Sequence, residues 1–555
     1  MPSAPMVMKK RKADVWVIVS LSAAALYALF LLYPLVSLLS KSVMDADGGF
    51  SLANFQRIFT RAYYLRAIGN SFKVTLAVTG VAVLLAAPLA YLTAVYRIKG
   101  RGVLEILILV SSMSAPFIGA YSWIMLFGRS GDVTVWVRET LGLSMPDIYG
   151  FQGIVIVMGL QLYSLVYMFV SGAFKSMDNS LIEASESLGC GGVRKLLKVV
   201  FPLLLPTLAA GALMVFMRTF ADYGTPALIG EGYVTLPVMV YKTFMSETGA
   251  NDALAAAISL VAVVTTTAVF LFQKLVVSRK KFSMSALHPI RPKPVRGIGG
   301  FLAHAYCYLI VALAMLPQCY VVYSSFRNTS GKLFTSGYGL GSYIEAFETV
   351  GRTITNTYAL GFAAIVAIVL TATLIAYVVV RRPNPLNAAL DVATMFPETV
   401  AGSILGIALL VSFSRRPLLF SGTAFIMVLC YTIRRLPYTV RSSSAILQQI
   451  HPSVEEASIS LGASDMKTFY RVTLPMMTPG VLSGAILSFI MIITELSASI
   501  ILYTTRTKTM TLEIYSQIIR GNDGVAAAIS SVLTFSTIIL LAVFFKVSGK
   551  KEIEL

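Results

Sequence analysis

Charge is scarce in this chain. Only 13% of its 555 residues are Asp, Glu, Lys or Arg, and acidic residues number 26 against 45 basic ones. Soluble domains carry about twice that charged fraction, so a string of soluble domains is excluded. Cysteine is nearly absent. Cys190, Cys307, Cys319 and Cys430 show neither a CxxC pair nor ligand-like spacing, which predicts no disulfide framework and no metal cluster. His288, His304 and His451 are too scattered to make a metal or catalytic set, and no nucleophile, base and orienting group recur together. Nor does any window fit the phosphate-cradling G-x-x-x-x-G-K-S/T loop; Gly331-Lys332 lacks both the earlier glycine and the hydroxyl. The expectation is a chain that is not itself an enzyme and binds neither cofactor nor metal.

What fills the sequence is apolar: 56% of its residues are hydrophobic. Val15 to Ser40 runs without a charge up to its end, where about twenty residues at 1.5 Å each suffice to cross roughly 30 Å of hydrocarbon. Similar runs fall near Ser71 to Tyr96, Val103 to Phe127, Ile154 to Phe174, Leu205 to Leu228 and Ala253 to Val277, then Phe301 to Phe326, Thr357 to Val380, Leu386 to Phe413, Pro417 to Ile433, Gly480 to Tyr503 and Val525 to Phe545. Twelve crossings are thus expected, the first an anchor and not a cleaved signal. The net charge of +19 lies at run ends rather than along one groove, which argues for orientation and against nucleic acid. With both termini cytoplasmic, the inner segments receive Lys9, Lys10, Arg11, Lys12, Arg97, Lys99, Arg101, Arg194, Lys195, Lys198, Arg279, Lys280, Lys281, Arg381, Arg382, Arg434, Arg435, Lys546, Lys550 and Lys551. Arg415 and Arg416, in a short outer turn, fit poorly.

The chain also contains itself twice. Residues Glu183 to Pro206 match Glu456 to Pro479 at a constant offset of 273, with nine identities in twenty-four positions, against about two by chance. Asn70 to Tyr91 matches Asn356 to Tyr377 at an offset of 286, so thirteen extra residues belong between the matched blocks of the first half, in the outer loop Gly128 to Gly150. The reading is all-α: two parallel six-helix repeats, residues 1–278 and 301–555, joined by a basic linker at 279–300.

Each matched block opens with a capping-box pattern, Ser180-Leu-Ile-Glu183 and Ser453-Val-Glu-Glu456, and Gly189 and Gly462 close the helix. Leu181, Ala184 and Leu188, like Val454, Ala457 and Leu461, fall on one face. A two-turn helix needs something to dock on, and two copies suggest two identical sites for a symmetric partner. Glu183-Ala-Ser with Gly189 and Pro202, repeated as Glu456-Ala-Ser, Gly462 and Pro475, resembles the EAA motif of ABC importer permeases, with Ser185 and Ser458 in place of the motif's alanine. The resemblance covers both halves. It implies the type I importer permease fold in a bacterial inner membrane. It further implies that Glu183, Ala184, Leu188, Gly189, Glu456, Ala457, Leu461 and Gly462 engage two copies of a separate ATPase, which uses ATP and Mg, and that an external solute-binding protein delivers the cargo. Fused permeases of this kind are associated with ferric iron, thiamine, polyamine and phosphonate.

Carboxylates inside a membrane face a cavity or a partner. Asp222 and Glu495 occupy equivalent repeat positions, sixteen residues past the prolines Pro206 and Pro479. Asp222 has Arg218 at i, i+4, a candidate local ion pair, whereas Met491 stands at that place in the second half. Arg218, Asp222, Tyr223, Gly224 and Glu495 are therefore the candidate pathway residues, with Gly224 and Pro226 expected to break the helix and expose carbonyls. Ala221-Asp-Tyr-Gly-Thr-Pro226 is similar to a segment of fused permeases labelled ferric-iron transporters, though phosphonate and polyamine permeases look much alike. Two carboxylates suit a hard cation; Arg57, Arg61, Arg66, Arg129, Arg138 and Arg352 suit an anion. The rival class is an ion-gradient-driven carrier with the same helix count, but that class needs no paired docking helices. A signalling or scaffold protein would leave the two carboxylates unexplained.

Overall fold

Lipid offers the backbone no hydrogen-bond partner, so an apolar run of this length closes into helix. The computed structural model describes residues 15–44, 49–113, 115–190, 192–246, 252–279, 290, 292–295, 297–331 and 333–548. Among these, nine helices are long and apolar enough to cross a bilayer: Val15–Ser42, Ala62–Val95, Phe151–Ser176, Leu196–Ala221, Asp252–Gln273, Gly297–Ser325, Gly341–Arg381, Asp465–Ile493 and Asp523–Val547. Two bent pairs raise the number to eleven. These are Arg101–Met113 with Pro116–Leu141, and Pro385–Thr399 with Gly402–Ser412, the latter turning by 109°. Helix Ala424–Gln449 has the length of a span, but Arg434, Arg435 and Arg441 hold down its apolarity. Counted together with it, the helices are numbered first to twelfth below in chain order. The basic residues Lys9 to Lys12, Lys280, Lys281, Lys550 and Lys551 lie outside the described residues.

The repeat seen in one short block extends through the structure. The fourth and tenth helices, Phe151–Ser176 and Ala424–Gln449, correspond end to end at the offset of 273. So do the π-helical turns Leu196–Val200 and Phe469–Thr473 that follow each docking helix. Pro202 and Pro475 sit just past those turns, where a residue without an N–H disturbs the regular ladder. Within each half, the second, fourth and fifth helices pack on one another, as do the eighth, tenth and eleventh. The extra outer loop of the first half holds a helix of its own, Asp132–Leu141, pinned by Arg327 to Asp132 at 2.6 Å. A two-stranded hairpin, Arg327–Ser330 with Leu333–Tyr338, is the one departure from all-α among the described residues; its tight turn at Gly331 (φ +61°) went unread in the sequence.

Each half lends its first helix to the other. Trp16 of the first helix is buried against Tyr377 and Phe469, with ring centroids 4.2 and 5.2 Å away. The seventh helix reaches back to the first half, where the Tyr306 hydroxyl donates to Leu85 O at 3.1 Å and Cys307 is buried among first-half side chains. Two halves tied in this way move as linked bodies.

Close approach of the tenth and eleventh helices relies on small residues. A Cβ on Gly484 would stand 2.6 Å from Thr439 Cα, and one on Gly480 would stand 2.5 Å from Ile446 Cγ1, a small-xxx-small contact. Gly484→Ala is therefore expected to lower stability by about 1–3 kcal/mol. Gly80→Ala, with no atom within 4 Å of the new methyl, should be neutral or stabilising by up to about 1 kcal/mol. Thermal unfolding of the purified chain in detergent distinguishes the two, and equal midpoints would refute the contact.

Candidate functional site: the paired knobs and the charged seam

Between the fourth and fifth helices, and again between the tenth and eleventh, the chain leaves the bundle as a short helix: Asn179–Ser187 and Ser453–Ser460. Both close in the same way. Cys190 N donates to Ser185 O at 2.9 Å and Gly189 N to Glu186 O at 3.0 Å; Ala463 N donates to Ser458 O at 3.2 Å and Gly462 N to Ile459 O at 2.9 Å. These are paired Schellman closures, and the glycines supply the left-handed backbone, φ +77° and +89°, that the closure requires.

The expected capping boxes are not formed. The Asp178 carboxylate accepts from Ser180 N at 2.9 Å, so the first knob starts two residues early and Ser180 lies inside its first turn. Glu183 instead accepts from the Asn179 amide at 2.6 Å. In the second knob Pro452 holds the cap position and has no side-chain donor or acceptor to offer. The expected stripe is present and faces outward: Leu181, Ala184, Val454 and Ala457 are exposed, while Leu188 and Leu461 are 87% and 90% exposed. Two large apolar tips are thus bare at equivalent places. Glu183 and Glu456 are exposed beside them. Glu186 is clamped by Lys195 at 2.5 Å and Lys293 at 3.9 Å. The Lys195 hydrogen bond and charge hold its carboxyl below the usual carboxylate range, so the clamp is intact at neutral pH and is lost as pH falls through the lowered value.

The second cluster is a seam of charge where the halves meet. Glu495 is buried between Arg434, at 3.1 Å, and Arg435, and its Oε1 also accepts from Ala498 N at 3.1 Å. Gly402, where the ninth helix resumes, leaves the room: a Cβ there would stand 1.7 Å from Arg434 Nη1. Arg218, from the first half, donates to the Tyr438 hydroxyl at 3.0 Å and lies 3.6 Å from Glu398, to which Tyr438 donates at 2.7 Å. Beside these lies a small pocket of about 20 Å³, room for about one water, bounded by Ser112, Met113, Gln161, Leu162, Arg218, Tyr438, Leu487 and Met491. The seam is lopsided. At the repeat offsets, Arg218 faces Met491, Arg434 faces Gln161, Tyr438 faces Leu165 and Glu398 faces Ser112.

Several expectations are corrected here. Arg218 and Asp222 do not pair: the helix ends at Ala221, and Asp222 is extended (φ −76°, ψ 131°), which swings its carboxylate away from the helix face to accept from Thr225 N at 2.9 Å. Glu495, which has no local counter-ion in sequence, has two from the tenth helix. Those arginines, assigned to an inner loop, are part-buried in mid-helix instead, because the helix runs to Gln449. The break falls at Asp222 and Tyr223, while Gly224 and Pro226 belong to the next short helix, Gly224–Ile229. Gly224 packs against Phe117 and Leu496, and Tyr223 is buried against Tyr241 at 4.9 Å. Of the five candidate pathway residues, only Arg218 lines the pocket. Glu398, Tyr438, Arg434 and Arg435 were missed; Glu398, a carboxylate inside an apolar run, was the available signal.

Two like halves built of membrane-spanning helices, with a charged seam between them and a bare apolar tip on each, define a duplicated polytopic membrane protein. Residues 82–282 and 368–548 each match the binding-protein-dependent transport system inner membrane component family, and the chain belongs to that family. It is similar to the ferric transport system permease protein FbpB of Actinobacillus pleuropneumoniae, 26% identical over 560 residues, covering 98% of this chain and 80% of that protein. The putative ferric transport system permease protein FbpB 1 of Haemophilus influenzae is 27% identical over 515 residues, covering 90% and 80%. The putative 2-aminoethylphosphonate transport system permease protein PhnV of Salmonella choleraesuis is 26% identical over 254 residues, 95% of that protein but 46% of this chain.

The seam predicts unequal roles for its two equivalent carboxylates. Glu495→Ala strands two part-buried arginines and should lower unfolding free energy by about 2–4 kcal/mol. Asp222→Asn keeps an acceptor for Thr225 N and should stay within about 1 kcal/mol of wild type. Denaturation in detergent measures both; equal losses would contradict this assignment.

Proposed function

We propose that the chain is the permease of an ABC importer for ferric iron, with two copies of a separate ATPase docked on its knobs and an external binding protein delivering the solute. The observation that carries the docking is the pair of exposed tips, Leu188 and Leu461, at equivalent places beside Gly189 and Gly462. Burial of such an anchor in a pocket is what gives interfaces their affinity. Glu183, Ala184, Glu456 and Ala457 border the tips and complete each docking face. Arg194, Lys195, Lys198, Arg381 and Arg382 gather at this end, which supports a cytoplasmic position for the knobs, twelve crossings and cytoplasmic termini in a bacterial inner membrane.

ATP binding draws the two ATPase copies together, the knobs follow, and the halves part on the outer side; hydrolysis reverses the movement and the solute leaves inward. The pocket beside Arg218 is the route, with Asp222, Tyr223, Gly224 and Glu495 as the frame behind its wall. Similarity to two ferric permeases along nearly the whole chain supports iron, as do the hard oxygen donors Tyr438 and Glu398 at the pocket's edge. A phosphonate is the second reading, supported by the likeness of one half to PhnV and by the Arg218 guanidinium in the pocket wall. Polyamine and thiamine are the remaining alternatives within the importer class.

The test is uptake by liposomes holding the chain, its ATPase and its binding protein. Leu188→Glu plus Leu461→Glu should leave folding intact, since both side chains are exposed, and reduce ATP-driven uptake about tenfold or more. Uptake of ferric iron names the cargo; uptake of 2-aminoethylphosphonate instead selects the second reading. Uptake that follows an ion gradient and ignores the ATPase would overturn the importer altogether.

A further inference from the structure

The two knobs match residue by residue, yet they are fastened to the membrane helices by different chemistry. In the first half Ile182 is buried near Tyr91 and Val95, at the end of the second helix. At the repeat offsets Ile182 becomes Glu455, Tyr91 becomes Tyr377 and Val95 becomes Arg381. Glu455 is buried: its Oε1 accepts from Arg381 Nε at 2.9 Å and its Oε2 from the Tyr377 hydroxyl at 3.2 Å. Arg381 Nη2 also donates to Ile450 O, the residue that closes the tenth helix, at 2.7 Å. Trp16 packs against Tyr377 with its ring tilted by 38°. A second pair, Arg382 to Asp465 at 3.0 Å, joins the same helix end to the piece that follows the knob.

Among the described contacts no buried ion pair joins the first knob directly to the end of its second helix. Glu186 pairs with Lys195, within the knob segment, and at 3.9 Å with the exposed side chain of Lys293, whose backbone is hydrogen-bonded to Val95 and Arg97 at that helix end; an exposed pair of this kind contributes little. An apolar contact is non-directional and lets one surface slide over another. A buried charge pair with both carboxylate oxygens engaged is directional and resists displacement.

We propose that Glu455 is a positioning residue that locks the second knob to the eighth helix through Arg381 and Tyr377, so that motion received at the second knob is passed into the bundle more rigidly than motion received at the first. The proposal rests on the reading of the knobs as ATPase docking sites. It makes two equivalent ATPase copies unequal in effect: the copy on the second knob does most of the gating, and the joint at Ile182 follows.

The same liposomes test it, reading ATP hydrolysed per solute imported alongside the unfolding midpoint. Glu455→Gln is expected to raise that ratio at least fivefold with hydrolysis retained. Ile182→Ala should raise it by less. The charge swap Glu455→Arg plus Arg381→Glu should bring it back to within twofold of wild type. The decisive variant is Glu455→Ile plus Arg381→Val, which gives the second joint the first joint's residues: it should remain uncoupled although its unfolding midpoint matches wild type. A wild-type ratio in that variant, or in Glu455→Gln, overturns the proposal, and the double variant decides the matter if Glu455→Gln fails to fold. Absence of any ATP-driven uptake by wild type would instead remove the importer reading beneath it.

Discussion

A chain in lipid must satisfy its own backbone and its own charges, and that constraint governs this structure. Every long element is a helix because only a helix satisfies its backbone from within a single segment. Where a helix is interrupted, something else must take up the freed groups. The interruptions fall in equivalent places in the two halves: in the third and ninth helices, and at the ends of the fifth and eleventh. At the last of these, Glu495 caps Ala498 N while it neutralises two arginines, so one carboxylate answers both demands.

Repetition supplies a symmetric scaffold, and the scaffold carries unsymmetric chemistry. Helix lengths, π-helical turns, Schellman closures and bare leucine tips are duplicated. The charges are not: the tenth helix bears Arg434, Arg435 and Tyr438 where the fourth has Gln161, Leu162 and Leu165. The outer surfaces of the knobs remain alike, whereas the joints behind them have diverged. Shape in such a fold is set by backbone and small residues; the side chains at the seam are then free to specialise one half.

The knobs were legible in sequence because their features are local. Glycine at the closure, the apolar stripe at helical spacing and the flanking prolines all act within a few residues, and a second copy exposes them to comparison. Even there the capping boxes were misread, since whether a serine caps a helix depends on where the helix begins, and Asp178 and Pro452 moved that point. The seam was half legible. Asp222 and Glu495 stood out as intramembrane carboxylates, but the pairing of Arg218 went to Glu398 and Tyr438 rather than to its neighbour at i+4.

By itself the sequence determined the class of solvent, the helical content, the duplication and the two short knob segments, because hydropathy, periodicity and closure chemistry are short-range properties that survive without a fold. Only the tertiary structure decided which charges pair, which helix crosses to the opposite half, and how each knob is joined to the bundle. Those outcomes bring together residues as distant as Arg218 with Glu398 or Trp16 with Tyr377. Coulomb attraction and close packing depend on separation in space, and a linear chain does not carry that distance until it has folded.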